Sequence, residues 1–524
     1  MLNFDEYPIR DVLLILLRGL KIDGCAEIKP RALKSADEKF FRTRSIAEVF
    51  TPSRVVKFMV DALDDGQIDS TWLEIACGEA PFITNRYDAE TGEKISPECR
   101  VGILDRKLRA AKNFPEAKRA LQSVYGYELQ ADSLLIARAN VLLTFAEAVE
   151  NFSDSNLAEA AKIISRNFWK MDALNPPPAQ ISLFDEATNS GENFSGGLPM
   201  KKFDYVISNP PYQDDTSGDN KTFAPPIYHH FMDAARKISD KAVFITPARF
   251  LFDAGATPKD FNRRMLRDPH FKVLDYAPDA KKYFCSVKIK GGVAVTLRDD
   301  TKNFGAIKTF IPFPELESIH KKVCVDDKNF RPFSKIVYPR AAYRFAENNS
   351  SVATNAFDKI GKIFFDAKPD DDEYLKVLGR GGTQRIYKWI RRSHIRDIEN
   401  LGKYKVFIPS STGSGEFGEI LSEPLVEEPF VIATETFTAV GAFDTREAAA
   451  ACLAYIKSKF ARAMLGILKV TQHNPAATWE KVPLQNFTAG GEIDWSGNVD
   501  AQLYRKYKLN APEIKFIERH IKAM

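Results

Sequence analysis

The alternation of short β-rich runs with helical stretches between residues 71 and 300 constrains the fold of this chain more than any other feature. Strands separated by helices predict a mostly parallel sheet with helices on both faces. The predicted strands are 72–75, 101–104, 124–127, 205–207, 242–245 and 293–296. The predicted helices are 53–63, 106–120, 131–150, 155–168, 226–238 and 259–268.

Three segments with different patterns divide the chain, whose 524 residues exceed what one hydrophobic core supports. Residues 1–45 have a helical pattern, and residues 46–320 contain the α/β alternation. Residues 321–524 mix β-like and helical pieces irregularly. Residues 176–200 are rich in Pro, Ser, Asn and Gly, which predicts a surface loop. We therefore expect an α/β domain followed by a mixed α+β domain.

Composition excludes several classes of protein. No apolar run approaches the roughly 18 residues of a membrane span, so we expect no membrane association. The 6 cysteines are scattered without a CxxC pair, which argues against a disulfide framework or a zinc site and fits the cytoplasm. No other metal site is implied. A formal net charge of +4 is compatible with nucleic-acid binding but does not establish it.

The strand predicted at 205–207 leads into the tetrapeptide Asn209, Pro210, Pro211 and Tyr212. Two consecutive prolines prevent a helix or ladder pairing directly after the strand. They predict a rigid loop at the carboxyl end of the sheet, where open α/β folds bind ligands. The loop offers the side-chain carbonyl of Asn209, the backbone carbonyl of Pro210 and the aromatic face of Tyr212.

These three groups suit the activation of an exocyclic amino group on a nucleobase. Such a nitrogen is a poor nucleophile because its lone pair is delocalised into the ring. Two carbonyl acceptors aimed at the amino hydrogens favour a pyramidal nitrogen that can attack an electrophilic methyl group. An aromatic ring can stack on a base taken out of the duplex. The alternative interpretation is a proline-rich strand exit that only turns the chain.

A second segment joins an acidic residue at a strand end to a turn of small residues. Glu74 is followed by Ala76, Cys77 and Gly78, and small residues let the backbone approach a ligand closely. The full dinucleotide fingerprint is absent, so NAD binding is not supported. A buried strand and turn explains this segment as well as a cofactor loop does.

Three other carboxylates are candidates for a nucleotide site. Glu128 lies just past a strand, where it can accept both hydroxyls of a ribose or complement a helix dipole. Asp105 is a rival for the same role. Asp172 follows another apolar run and can reach a purine amino group, although a lone Asp there is commonly a turn residue.

In this order, the motifs resemble those of S-adenosylmethionine-dependent N6-adenine DNA methyltransferases, in particular the Eco57I-type methylases of bacterial restriction–modification systems. The resemblance implies a Rossmann-like class I methyltransferase sheet, S-adenosylmethionine as the cofactor and Asn209–Tyr212 as the catalytic residues. The family's cofactor loop usually reads Asp-Pro-Ala-Cys-Gly-Ser-Gly. Here Glu74 replaces the Asp and Ala80 replaces the second Gly, so the turn must differ slightly.

The same resemblance implies roles for further residues. Glu128 is expected to hold the cofactor ribose, which favours it over Asp105, and Phe284 to help hold the flipped base. Thr246–Phe250 resembles the segment that shapes the catalytic cleft. The expected cofactor-binding residues are Thr51, Pro52, Glu74, Ala76, Cys77, Gly78, Glu128 and Asp172.

The region after residue 320 has features of a DNA-binding surface. Basic side chains interleaved with aromatics at 380–396 suit phosphate and base contacts, whereas the alternative is a solvated basic helix. Polar residues at 469–475 can meet base edges. Residues 410–415 are interpreted as a flexible linker loop, and the alternative is a loop whose backbone contacts phosphate. Besides Phe284, the expected DNA-binding residues are Arg380, Arg385, Lys388, Arg391, Arg392 and Gln472.

The sequence thus predicts a site-specific methyltransferase that modifies the N6 amino group of a flipped adenine in duplex DNA and protects host DNA. Residues 321–524 are the expected target-recognition domain. A separately encoded restriction endonuclease is left open as a partner, and the oligomeric state is not predicted. Two alternatives remain: the same chemistry on cytosine N4, an RNA base or a protein glutamine, or a non-catalytic DNA-specificity subunit.

Overall fold

The structure is a computed structural model that describes residues 15–20, 31, 34–45, 51–88, 91–149, 153–174, 203–213, 224–284, 289–369 and 373–524. The chain forms two compact units. The first comprises Met1–Phe250 and Gly255–Lys308, and the second comprises Leu251–Ala254 and Thr309–Met524. The predicted boundary at residue 320 falls inside the second unit. The loop predicted at 176–200 and much of the helical segment predicted at 1–45 lie outside the described residues.

A seven-stranded sheet forms the centre of the first unit, in the order β3-β2-β1-β4-β5-β7-β6. β7 is antiparallel to β5 and β6, and the other pairs are parallel. The order reverses between β1 and β4, so right-handed crossovers put the helices of the two halves on opposite faces. The predicted Rossmann-like class is confirmed. The strands are β1 Trp72–Ile75, β2 Val124–Glu128, β3 Phe168–Lys170, β4 Tyr205–Ser208, β5 Lys241–Pro247, β6 Phe271–Ala277 and β7 Val293–Asp299.

Helices of the first unit pack on this sheet, and β1 and β4 are buried along their whole length, as expected for strands covered on both faces. The buried Arg138 guanidinium donates to the carbonyls of Phe168 and Leu16, both at 2.6 Å. The helices are α1 Ala36–Ser45, α2 Ser53–Asp61, α3 Ile103–Ala110, α4 Phe114–Gln122, α5 Ala131–Ala148, α6 Asp154–Asn167, α7 Tyr228–Ile238 and α8 Lys259–Arg267.

The strand predicted at 101–104 is wrong, because α3 begins at Ile103. The buried Asp105 carboxylate accepts a hydrogen bond from the Gly102 amide at 3.2 Å, which fixes a helix start. The same carboxylate accepts from the Thr84 hydroxyl at 2.9 Å. Asp105 therefore stabilises the beginning of a helix and does not follow a strand.

The helix predicted at 106–120 is divided in two. The Asn113 side chain accepts from the Glu116 amide at 3.0 Å and begins α4, and a proline occupies the first turn. Two strands were missing from the prediction: β3, which follows α6 directly, and β6, whose charged residues interrupt an apolar pattern.

The second unit contains two three-stranded sheets, in the orders β11-β10-β13 and β12-β8-β9. The mixed α+β class predicted for this region is confirmed. The strands are β8 Tyr374–Gly381, β9 Gln384–Arg391, β10 Tyr404–Pro409, β11 Leu425–Glu427, β12 Val431–Ala433 and β13 Phe437–Phe443. The helices are α9 Pro314–His320, α10 Ala356–Lys359, α11 Arg446–Lys457, α12 Lys459–Leu465, α13 Val499–Lys506 and α14 Ala511–His520.

Most of the basic stretch at 380–396 lies on a β-hairpin, because β8 pairs with β9 in antiparallel register from Tyr374 to Gly381. Gly382, with a φ of 61°, occupies the first central position of its two-residue turn. The solvated basic helix is therefore excluded for 384–391. Among the described residues of both units, no helix is long and apolar enough to cross a membrane.

Candidate active site

The carboxyl ends of β1, β2 and β4 bring three of the predicted motifs to one edge of the sheet. Ile75 pairs with Tyr127, and Glu74 pairs with Ile207. The loops that follow Ile75, Glu128 and Ser208 therefore lie side by side. This edge is also where the strand order reverses, which is the position at which open α/β sheets bind ligands.

Asn209 is the first residue after β4, and its side chain is held by a residue from another motif. Its Nδ2 donates to Oγ1 of the buried Thr51 at 3.1 Å. This bond assigns the donor end of the amide to Thr51, so the acceptor end, Oδ1, is directed away from Thr51. The next residue, Pro52, is the N-cap of α2. The structure thus brings Thr51, predicted as a cofactor residue, to the tetrapeptide predicted as catalytic.

The rest of the tetrapeptide is anchored at both ends. The Ser208 hydroxyl donates to the Ile75 carbonyl, which ties β4 to β1. The Tyr212 carbonyl accepts from the Ile227 amide at 3.2 Å. Tyr212 is partly exposed as a residue, and its hydroxyl is buried with no hydrogen-bond partner among the described residues. Burial raises the pKa of this hydroxyl, so it stays neutral.

The loop after β1 uses an unusual run of left-handed backbone. Ala76, Gly78 and Ala80 have φ angles of 64°, 55° and 62°. The Cys77 amide donates to the Tyr127 carbonyl at 2.8 Å, and the Ala80 amide donates to the Cys77 carbonyl at 2.7 Å. Ala80 therefore adopts the conformation that glycine adopts easily, and its methyl group is buried in the core.

Glu128 connects this loop to β2. Its carboxylate accepts from the Gly78 amide and the Gln130 amide, both at 2.7 Å. A carboxylate has about four acceptor positions, so holding the loop is compatible with accepting ribose hydroxyls. The next residue, Leu129, was not predicted as part of the site, yet 57% of its surface is exposed. The sequence feature that could have identified Leu129 as a site residue is its position as an apolar residue directly after the carboxylate.

Asp172 lies at the same edge, beyond β3. The Met171 amide donates to the Glu128 carbonyl at 3.0 Å, which places Asp172 close to the β2 loop. Its carboxylate accepts from the Leu174 amide at 2.9 Å, as in an Asx turn. Asp172 therefore acts as a turn residue. Its location at the edge is also compatible with the predicted contact to a purine amino group.

Glu74 and Cys77 are buried beneath the loop. The Glu74 carboxylate accepts from the Ile83 amide at 3.3 Å, and burial raises its pKa well above the usual range. Burial also raises the pKa of the Cys77 thiol, which makes it a poor nucleophile. Phe284 is likewise buried, with 3% of its surface exposed, and packs in the core of the unit.

The second unit gives most of the predicted DNA-binding cations partners within the protein. Arg385 donates to the Glu423 carbonyl, and Arg392 pairs with Asp397. Lys388 pairs with Asp366 at 2.9 Å, and Arg391 Nε donates to the Tyr374 hydroxyl at 3.2 Å. These four side chains therefore already have roles in the fold.

Arg380 differs from those four side chains. It lies exposed at the end of β8, next to the hairpin turn. Within the described residues, no hydrogen bond or ion pair engages its guanidinium. A cation presented in this way is available for a phosphate.

Gln472 and its neighbours pair with the loop interpreted as a linker. The Thr412 amide donates to the Gln472 carbonyl at 2.7 Å, and the Ser411 hydroxyl lies 3.1 Å from Nδ1 of His473. The Glu419 carboxylate accepts from the Ser414 amide at 2.7 Å and pairs with Lys469 at 2.5 Å. The linker interpretation is therefore wrong for 410–415, because these contacts fix the loop against 469–474.

A family model described as Eco57I restriction-modification methylase matches residues 122–284. This segment contains Glu128, Asp172, Asn209–Tyr212 and Phe284. The resemblance inferred from the motifs is confirmed over this segment, which is similar to restriction–modification methylases.

Solved structures of restriction–modification enzymes are similar to parts of the chain. A type I methyltransferase subunit from Streptococcus thermophilus is 16% identical, with 49% of this chain and 45% of that chain covered and a TM-score of 0.28. DrdV in complex with DNA is 11% identical, with 92% and 58% covered and a TM-score of 0.45. The type IIL enzyme MmeI in complex with DNA is 10% identical, with 94% and 78% covered and a TM-score of 0.42.

The chain spans 45% of the length of the first of these structures and 58% of the length of the second. No curated protein matches the chain.

Proposed function

We propose that this chain is an S-adenosylmethionine-dependent DNA methyltransferase that modifies the N6 amino group of adenine within a restriction–modification system. The observation that carries the proposal is the rigid Asn-Pro-Pro-Tyr loop at the carboxyl edge of the sheet, with Asn209 held by Thr51 at 3.1 Å. The methylase family match over 122–284 supports the reaction class.

The residues at the ends of β1, β2 and β3 fit the proposed cofactor. When bound, S-adenosylmethionine supplies an electrophilic methyl group. Glu128 accepts the ribose hydroxyls, and the exposed Leu129 offers an apolar surface for the adenine ring. Asp172 accepts from the adenine amino group. The left-handed backbone at Ala76 and Gly78 turns the chain sharply and lets it approach the ligand.

Asn209 and Pro210 activate the acceptor. Oδ1 of Asn209 and the carbonyl of Pro210 accept the two hydrogens of the base amino group, which localises the nitrogen lone pair for attack. The Thr51 hydroxyl holds the amide in one orientation, so little reorganisation is needed at the moment of reaction. Tyr212, a partly exposed residue, stacks its ring on the base.

We assign DNA binding to exposed polar and basic groups of the second unit. Arg380 contacts phosphate, since it is exposed at the end of β8. The surface formed by 410–415 and 469–474, with Gln472 and His473, reads base edges. Arg385, Lys388, Arg391 and Arg392 contribute less, because each already has a partner.

Methyl transfer from labelled S-adenosylmethionine to unmethylated genomic DNA, followed by nucleoside analysis, tests this proposal. We expect the label in N6-methyladenine. Label in N4-methylcytosine would keep the enzyme class and correct the base. Label in protein or RNA alone, or no label with the cofactor bound, would contradict the proposed acceptor.

A further inference from the structure

Arg249 lies on the side of the catalytic strand that is opposite to the cofactor loops. The sheet order places β1 and β2 on one side of β4, and β5 on the other. Arg249 is the second residue after β5, at the carboxyl edge that also carries Asn209. A ligand group near Arg249 therefore belongs to the acceptor side of the site.

Two glycines leave space for the Arg249 side chain. A Cβ at Gly291 would lie 2.7 Å from Cγ of Arg249, and a Cβ at Gly255 would lie 3.0 Å from its Cδ. Both glycines have positive φ angles, 83° and 76°. The Nε group donates to the Lys290 carbonyl at 2.5 Å. The stem is thus confined between the two glycines, and Nη1 lies 3.8 Å from the position that a Cβ at Gly255 would take.

The guanidinium of Arg249 has no counter-ion in the described part of the chain. On the same side of the sheet, Asp275 pairs with Lys282, and Asp279 caps the turn that begins at Ala280. Partial burial lowers the pKa of Arg249. Partly burying a cation without an anion costs free energy. A complementary anion from a ligand would offset this cost.

We infer that Arg249 binds the DNA phosphate next to the flipped nucleotide and so positions the target base over Asn209. The inference rests on the proposed function and names a contact at the same site. A planar guanidinium with a confined stem matches the two oxygens of a phosphodiester. The carboxylate of the cofactor's methionine moiety is the rival anion. The topology disfavours it, because the cofactor loops lie beyond β4 from Arg249.

Kinetics of Arg249→Gln and Arg249→Lys with unmethylated genomic DNA test the contact. For Arg249→Gln we expect KM for DNA to rise about tenfold, and the salt dependence of log KM to weaken by about one unit of slope. KM for S-adenosylmethionine should change less than about twofold. This change is far smaller than the one expected from the loss of a hydrogen bond to a charged group. Arg263→Gln, on the exposed surface of α8, is the matched control and should match wild type.

Arg249→Lys keeps the charge and loses the planar fork. It should retain the salt dependence of log KM and raise KM for DNA less than Arg249→Gln does. If the Gln variant does not fold, the Lys variant still tests the contact. A rise in KM for S-adenosylmethionine alone would assign Arg249 to the cofactor carboxylate and overturn the inference. Unchanged KM for DNA in both folded variants would also overturn it. If wild type transfers no methyl to DNA, the proposed function fails first.

Discussion

The residue types at the carboxyl edge of the first unit and on the β8–β9 hairpin of the second both predict a binding site. The contacts that these side chains make in the structure differ between the two regions. At the edge, residues far apart in sequence converge, as the bond of 3.1 Å between Asn209 and Thr51 shows. On the hairpin, Arg385 and Lys388 are neighbours in sequence but are engaged by separate partners within the protein. Position at a strand end is therefore more informative than a local run of charge.

The largest expected effect is on the proposed catalytic loop, Asn209–Tyr212. Asn209→Ala removes a carbonyl acceptor that acts on the base amino group, so methyl transfer should fall by at least about 100-fold. Cofactor affinity and DNA binding should stay within about threefold of wild type, less than the free energy of one hydrogen bond. Asn329→Ala, at an exposed position of the second unit, is the control. Equal single-turnover rates for Asn209→Ala and wild type would remove Asn209 from the mechanism.

Packing beneath the edge gives the next effect. A Cβ at Gly126 would lie 2.5 Å from the buried Phe168 ring and 2.9 Å from Sγ of Cys77. Gly126→Ala should lower the free energy of unfolding by about 1–3 kcal/mol, measured by denaturant titration. Gly361→Ala meets no atom within 4 Å and is the matched control. Equal stability of the two variants would show that β2 and β3 can separate at no cost.

Two arginines near the hairpin allow a comparison between a cation that is exposed without a partner in the described part of the chain and a cation that is already paired within the protein. Arg380→Ala should raise KM for DNA about fivefold and weaken its salt dependence by about one unit of slope. Arg392→Ala should change both much less, because Arg392 is held by Asp397 and by the Ile395 carbonyl at 2.7 Å. Larger effects for Arg392→Ala would reverse the assignment of DNA contacts within the second unit.

The smallest expected effect concerns the departure from the family's cofactor loop. Ala80 has a φ of 62°, so Ala80→Gly relieves strain but loses a buried methyl group and gains backbone entropy in the unfolded chain. The net change in the free energy of unfolding should stay within about 1 kcal/mol. Ala80→Val should destabilise by more than this, because a branched side chain fits that backbone poorly. Thermal unfolding of both variants measures the contrast.

Strand ends account for most of what the sequence could predict. β1, β2, β4, β5 and β7 were predicted, and their loops carry Glu128 and Asn209 to one edge because parallel strands end together. Asp172 lies at this edge for the same reason, because it follows the parallel strand β3. The orientation of Asn209 could not be predicted, since it depends on Thr51, which lies 158 residues away in sequence.

Tertiary context explains the errors. The apolar run at 101–104 looked like a strand, but the Asp105 carboxylate, buried beside Thr84, begins a helix there. The loop at 410–415 looked like a linker because its composition is that of a flexible segment. Its order comes from Glu419 and Lys469, a pair that its own sequence does not reveal.

Hydrogen exchange with and without S-adenosylmethionine tests most directly whether the carboxyl edge of the sheet is the cofactor site. We expect slower exchange of the amides at 76–80 and 128–130 when the cofactor is added, and unchanged exchange in the β8–β9 hairpin. Protection confined to the second unit, or none at 76–80 and 128–130 despite saturating cofactor, would contradict this expectation.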